Sequence, residues 1–407
     1  MRHAFALLLS VLALSTAAQP ASGTWTTTKR PPVGIIDGSL ATVLLDDGSI
    51  LALGNSNSGG DASKAFRYDF NRNEWTQTGS LPANVVGLKP AKLPNGNVMA
   101  LGVYLTTQKP VAFVFDPATM QWTSAGATPA DDLRFGAKVI QLSNGKVLVL
   151  GLSDKKWGGW LYDYQSNTWA LSQQLPVGVS GFADALNLRN GNLLVIGIDR
   201  SMGGQWTGLL YDPKGDSWMQ TGPFPNGMGS TPTGLTTLKD GSVLFLGFQH
   251  LPYVTTAAVL YHPETNTWTQ GGTVPNELVN VRAATQLPNG MVVTSAEETM
   301  ANGRYSPLFN PSNNTWKLGP KLSGEYSGLA IFGIRLDGVA WGMGYRYPSG
   351  ADELIYSPSL NRWTKVASMP EGSLNVRSTG KPDGSSLIFS RTSSGLEWKY
   401  EAVLFVP

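Results

Sequence analysis

Eight tryptophans recur along the chain: Trp25, Trp75, Trp122, Trp169, Trp218, Trp268, Trp316 and Trp363, spaced 50, 47, 47, 49, 50, 48 and 47 residues apart. Spacing this even means that one structural unit repeats, because such a unit buries its apolar face only against a neighbour like itself. A turn dipeptide keeps phase with the tryptophans: Asp47-Gly48, Asn95-Gly96, Asn144-Gly145, Asn190-Gly191, Asp240-Gly241, Asn289-Gly290, Asp337-Gly338 and Asp383-Gly384. Asn-Gly and Asp-Gly suit a type I′ hairpin, which needs positive φ at both central residues. Apolar runs such as 147–150 and 193–196 follow them. Seven residues before each later tryptophan stands another aromatic: Tyr68, Phe115, Tyr162, Tyr211, Tyr261, Phe309 and Tyr356.

Each unit therefore reads as strand, hairpin, strand, variable loop, strand, Pro/Asn turn, and a last strand near Trp. A four-stranded unit of about 48 residues is one blade of an all-β propeller. The segments Leu210-Tyr211-Asp212-Pro213 through Trp218, and Leu142-Ser143-Asn144-Gly145 through Gly151, resemble the kelch family and its galactose-oxidase-type relatives. The resemblance implies a kelch-type β-propeller over nearly all of the chain. It departs in one respect: the family ends the second strand of a repeat in a Gly pair. This chain keeps a single Gly (Gly54, Gly102, Gly151, Gly197, Gly247), and the sixth and eighth units lose it, with their boundaries near Ser295 and Ser390.

The markers give eight four-stranded blades, with seven as the alternative if an end unit is degenerate. Trp25 has no hairpin before it, and the last unit stops at residues 403–407 without a Trp strand. The N-terminal strand is thus expected to complete the last blade and leave no open sheet edge.

Residues 1–18 read as a secretory signal peptide. Arg2 supplies the positive region, residues 4–14 are an apolar stretch too short for a bilayer, and Thr16-Ala17-Ala18 offers a cleavage site near Ala18. A single propeller domain, residues 19–407, is expected in the periplasm or outside the cell, with no membrane insertion. The chain has no Cys, so neither disulfides nor a lipoprotein anchor is expected. Its net charge of +2 comes from scattered Lys and Arg, which leaves no footprint for nucleic acid.

Copper enzymes among the kelch relatives use a Cys joined to a Tyr, with His ligands. This chain has no Cys and, beyond the signal, only His250 and His262. No transition-metal cofactor is expected, while calcium on loop carboxylates and carbonyls stays open. His262 fills the Asp slot of the turn motif (compare Asp116 and Asp212) and reads as a turn residue; His250 lies in a variable loop.

Repeating tryptophans belong to the core, so a site is sought where the repeat breaks. In an antiparallel blade the second turn shares a face with the blade connection. Those turns read as 54–65, 102–111, 151–160, 197–208, 247–257, 295–306, 342–352 and 390–399. They carry aromatics outside the repeat columns: Tyr104, Trp157, Trp160, Trp206, Tyr253, Tyr305, Tyr345, Tyr347 and Trp398. Asp154, Lys155, Lys156, Asp199, Arg200, Glu297, Glu298, Arg346 and Arg391 accompany them. Flat rings with one polar atom suit sugar rings and peptide side chains, or else simply cover blade ends.

Counting back seven residues from each hairpin Gly on the innermost strand gives Ala41, Lys89, Lys138, Asp184, Gly234, Ala283, Ile331 and Arg377, with Arg134 and Arg282 in the same segments. This column is either a solvated channel or a cationic funnel for an anionic ligand, with Arg clamping a carboxylate. The expected ligand-binding set is Trp157, Trp160, Trp206, Tyr253, Tyr345, Arg134, Arg282 and Arg377. No catalytic motif stands out. The leading expectation is a binding module for a glycan or protein ligand over the axial mouth. The alternatives are a mutarotase or polysaccharide lyase on acidic sugars, and a structural envelope protein.

Overall fold

A computed structural model describes residues 24–29, 40–54, 64–81, 85–128, 138–153, 156–199, 205–225, 232–249, 255–298, 303–335, 338–346, 350–369, 374–381, 385–394 and 397–406. The expected signal peptide, Arg134, His250, Tyr253 and Tyr347 lie outside them, as do the side chains of Arg377, Arg391 and Trp398. The described elements are all strands, and they form eight antiparallel sheets. Most neighbouring inner strands touch in chain order, and the last of them meets the first and closes the ring. The fold is an eight-bladed β-propeller. In the sixth blade the third strand is split into Arg304–Tyr305 and Leu308–Asn310, and Pro307, which has no N–H for the ladder, sits in the break.

Closure follows the expected route. Thr24–Thr27 pairs with the final strand, Trp25 opposite Phe405, as the outermost strand of the eighth blade. Trp25 packs against Met343 and Met369 of the seventh blade and Ile388 and Val403 of its own. The following Lys29 ties the eighth blade to the first: its carbonyl accepts from Trp75 Nε1 (3.0 Å) and its ammonium meets Glu74 (2.8 Å).

The Trp column is a circumferential staple. Trp122 Nε1 donates to Thr78 Oγ1 (3.0 Å), Trp169 to the Ala125 carbonyl (2.7 Å) and Trp268 to Thr221 Oγ1 (2.9 Å), each partner lying on the preceding blade. The aromatic seven residues earlier stacks obliquely on its own Trp, as in Tyr162–Trp169 at 5.0 Å between centroids. The turn residue between them explains the fixed interval. Asn73, Asn167, Asp216, Asn266 and Asn361 adopt positive φ, and each accepts the hydroxyl of its blade's Tyr at 2.8–2.9 Å. Asn and Asp tolerate that left-handed conformation better than other non-Gly residues.

The inner hairpins are not type I′ turns. Among the described ones only the Gly has positive φ, while the preceding Asp or Asn does not. Gly145 N–H donates to the Leu142 carbonyl (3.0 Å) and Leu142 N–H to the Lys146 carbonyl (2.8 Å), which is a three-residue loop with Gly closing a bulge. The Asn is kept for its side chain: Asn144 Oδ1 accepts the Lys146 amide at 3.0 Å.

The single Gly of each second strand also has another reason. Outside the first blade it does not end the strand; Val98–Tyr104 and Val147–Ser153 run past it, so those loops are shorter than the sequence suggested. A Cβ on Gly102 would stand 2.8 Å from Val85 Cγ1 and 3.0 Å from the Val86 carbonyl oxygen, both on the inner strand. Gly102→Val is expected to lose about 1–3 kcal/mol of stability through overpacking. Chemical denaturation checks this, and an unchanged midpoint would contradict the packing argument.

Candidate axial site

The inner strand lies close on that Gly because it is bulged there. Register shifts fall between Val86 and Lys89, Phe182 and Asp184, Pro232 and Gly234, Val279 and Arg282, and Asn375 and Arg377. A bulge bends its strand and re-aims the next side chain. The residue it delivers is, in five blades, the column residue on the strand nearest the axis.

Register, not residue count, defines that column. The residues paired with Leu53, Leu101, Leu150, Ile196, Leu246, Ser295, Met343 and Phe389 are Ala41, Lys89, Lys138, Asp184, Gly234, Arg282, Ala330 and Arg377. Extra residues in the bulges had displaced the sequence count to Ala283 and Ile331. Arg282 therefore belongs to the ring itself and is exposed there.

Lys138 Nζ stands 3.7 Å from Asp184 Oδ1 on the next blade, with both side chains partly in water. Burial, and then the charge of Lys138, hold the Lys89 ammonium below the usual lysine value. Like charges are thus gathered on one side of the axis. Among the described residues no carboxylate lies within ion-pair reach of Arg282.

Trp157 lies on the third strand of the third blade, the blade that carries Lys138 on its inner strand. It closes the short hairpin of the third blade opposite Leu152 and meets Phe182 of the fourth blade edge-on at 5.3 Å. A Cβ at Gly181 would meet the indole at an ordinary contact distance of 3.9 Å. Trp157 remains half-buried, packed against the apolar cluster between the third and fourth blades.

The other expected aromatics are placed differently. Trp160 is 4% exposed and packed between the second and third blades, so it belongs to the core and not to a ligand surface. Its neighbours along the same strand hid this, since strand alternation past a shortened loop turns it inward. Trp206 and Tyr345 are half-buried against inter-blade clusters. His262 Nε2 meets Thr269 Oγ1 at 2.8 Å at the third turn of its blade, away from the column.

A groove of about 460 Å³ opens on the hairpin face between the first and second blades, lined by Asp46, Asp47, Arg67, Asn95 and Asp116 among others. Its acids are already engaged. Lys92 pairs with Asp46 and Arg67 with Asp47. The Ala118 amide and Thr119 hydroxyl hold the Asp116 carboxyl below its ordinary range. No group of three or more His, Asp or Glu among the described residues could hold a metal ion.

Sequence reading missed the charges of the seventh blade. Asp352 and Glu353 are fully buried on a strand whose other copies carry small residues at the Glu353 position: Ala65, Ala112, Gly159, Gly208, Ala258 and Ser306. Asp352 accepts the Tyr326 hydroxyl (2.9 Å) and lies 3.4 Å from Arg346 and 3.2 Å from Lys365. Glu353 faces the eighth blade on the same side as Met343, its register partner. Arg335, 8% exposed, occupies the position that is Leu in the first six blades, from Leu45 to Leu287. Burial pushes the Glu353 carboxyl up to about 8 against the opposing pull of Arg335. The signal was present, as acids within an apolar column, but only the strand register reveals the column.

No protein-family model and no curated protein matches the chain. Among solved structures it is similar to an oligogalacturonate lyase from Vibrio parahaemolyticus, with a TM-score of 0.51 and 11% identity over 95% of this chain and 99% of that one. A puromycin hydrolase aligns with a TM-score of 0.48 and 12% identity, over 90% of this chain and 61% of that one. At such identities the first likeness establishes the propeller fold, and the chemistry has to be read from this chain's own residues.

Proposed function

We propose that the chain is a binding module for an acidic carbohydrate, seated over the axial mouth of the ring. One observation carries the reading: bulged inner strands present Lys89 and Arg282 in the same axial column as Lys138. Cations gathered in a partly desolvated mouth are stabilised by an arriving carboxylate. Trp157, half-buried beside Phe182 on the third and fourth blades, is the aromatic offered to stack on a sugar ring. Transition-metal chemistry is not part of the proposal.

The test is calorimetric titration with an oligogalacturonate, the polymer named for the lyase of similar fold, against a neutral oligosaccharide of equal length. Lys138→Ala and Arg282→Ala are each expected to weaken the acidic ligand about 10- to 100-fold, as befits loss of a charge-assisted hydrogen bond. The neutral ligand should be little affected. Equal losses for both ligands would contradict the reading. Binding should also be coupled to protonation. A carboxylate favours the charged form of Lys89, so affinity falls as pH rises through the lowered Lys89 value. Titrations in buffers of different ionisation enthalpy should reveal proton uptake in that range.

The same observation on Lys89 favours a second reading, β-elimination on a uronate polymer. A lysine amine made available by burial can take the proton α to the sugar carboxylate. The adjacent carbon–oxygen bond then breaks, a carbon–carbon double bond forms, and the leaving oxygen is reprotonated. Appearance of an unsaturated product, absent with Lys89→Met, distinguishes this reading from binding alone.

A further inference from the structure

We propose that the mouth takes a polymer laid across it, with carboxylates held at two opposite places, and not a single sugar acid. The inference rests on the acidic-carbohydrate reading and adds the length and the path of the ligand. Lys89 and Lys138 belong to the second and third blades, and Arg282 to the sixth. Blades follow one another around a closed ring of eight, so the second and sixth stand diametrically opposed.

Facing sheets pack about 10 Å apart, so opposite inner strands in such a ring stand on the order of 20 Å from each other. Extended Lys and Arg side chains narrow that gap without closing it. One carboxylate can therefore meet one side only. Of the column residues between the two cationic positions, Arg377 on the eighth blade adds a further cation, and the others do not compete for a carboxylate. Gly234 and Ala330 flank Arg282 with little or no side chain, and Ala41 precedes Lys89. Asp184, already within ion-pair reach of Lys138, repels a carboxylate from the fourth blade. The arrangement leaves two anion positions separated by a cleared span, which a chain of acidic sugars fits.

Two positions on one ligand act together through effective concentration. The experiment compares galacturonate with its trimer and hexamer on the full chain and on Lys138→Ala, Arg282→Ala and the double variant. Melting curves confirm that each variant is folded, and Arg282→Gln serves as a second substitution at that position. The expected result is hexamer affinity at least 100-fold above the monomer. Either single variant should bring the hexamer down towards the monomer level. Hexamer and monomer of equal affinity, with only one of the two variants harmful, would overturn the spanning arrangement while leaving an acidic-sugar site in place. Failure of every acidic length to bind would overturn both. A hexamer gain of only a few fold that survives Arg282→Ala would likewise overturn the spanning arrangement.

Discussion

Removing the strand Thr24–Thr27 is expected to destabilise the whole ring and not merely its end. The strand supplies the outer edge of the eighth blade, in register with residues 403–406. Its Trp25 fills the seam between the seventh and eighth blades. Trp25 is partly buried, so its truncation should cost less than the loss of about 3–5 kcal/mol expected for a fully buried aromatic, and Trp25→Ala alone should still lower the melting temperature. Deleting the strand adds the loss of the ladder and exposes the final strand, Glu397–Val406, as an unpaired edge open to association. Thermal melting with size-exclusion chromatography checks both. A truncated protein that melts unchanged as a monomer would contradict closure by the N-terminal strand.

The same seam is expected to weaken as the solution becomes alkaline. Glu353 is fully buried, and its carboxyl is raised to about 8, whereas an unfolded Glu titrates near 4.3. A raised folded value means that the folded state holds a proton the unfolded state has lost. Stability is therefore full below the ordinary carboxylate range and declines as pH rises towards 8. The decline amounts to on the order of 4 kcal/mol across that window. Glu353→Gln removes the titrating group at nearly equal volume, so the wild-type slope between pH 5 and pH 8 should largely vanish (roughly the window set by those two values). The pair Arg335→Leu with Glu353→Ala restores the residues of the other blades. Replacing these two buried polar side chains with apolar ones in this way is expected to gain about 1–4 kcal/mol. Denaturation at several pH values checks this, and a wild-type slope retained in Glu353→Gln would assign the titration elsewhere.

The fold was legible because its determinants repeat. Trp, Tyr and Asn-Gly mark every blade at nearly fixed intervals, and even the closing strand could be inferred from a missing Trp at one end and a spare one at the other. The turn type was not legible, because Asn144 is selected for its side-chain bond to the next strand and only Gly145 for its backbone. The charged column was legible in kind but not in every place. Lys89 and Lys138 were found by counting from the hairpin, and Arg282 was missed from the column because a bulge adds a residue between it and the hairpin-based count. Trp160 was misjudged because the second strand passes Gly151 and turns that ring inward. Glu353 escaped because a lone acid inside an apolar strand means little until its register partner Met343 is known to face the next blade.

Hydrogen–deuterium exchange with and without a bound oligogalacturonate locates the ligand most directly. The account predicts slowed exchange in the inner strands Val85–Lys92, Lys138–Gln141 and Leu278–Gln286, which carry Lys89, Lys138 and Arg282. Protection confined to the hairpin-face groove, at residues 45–47, 95–97 and 116–118, would contradict it.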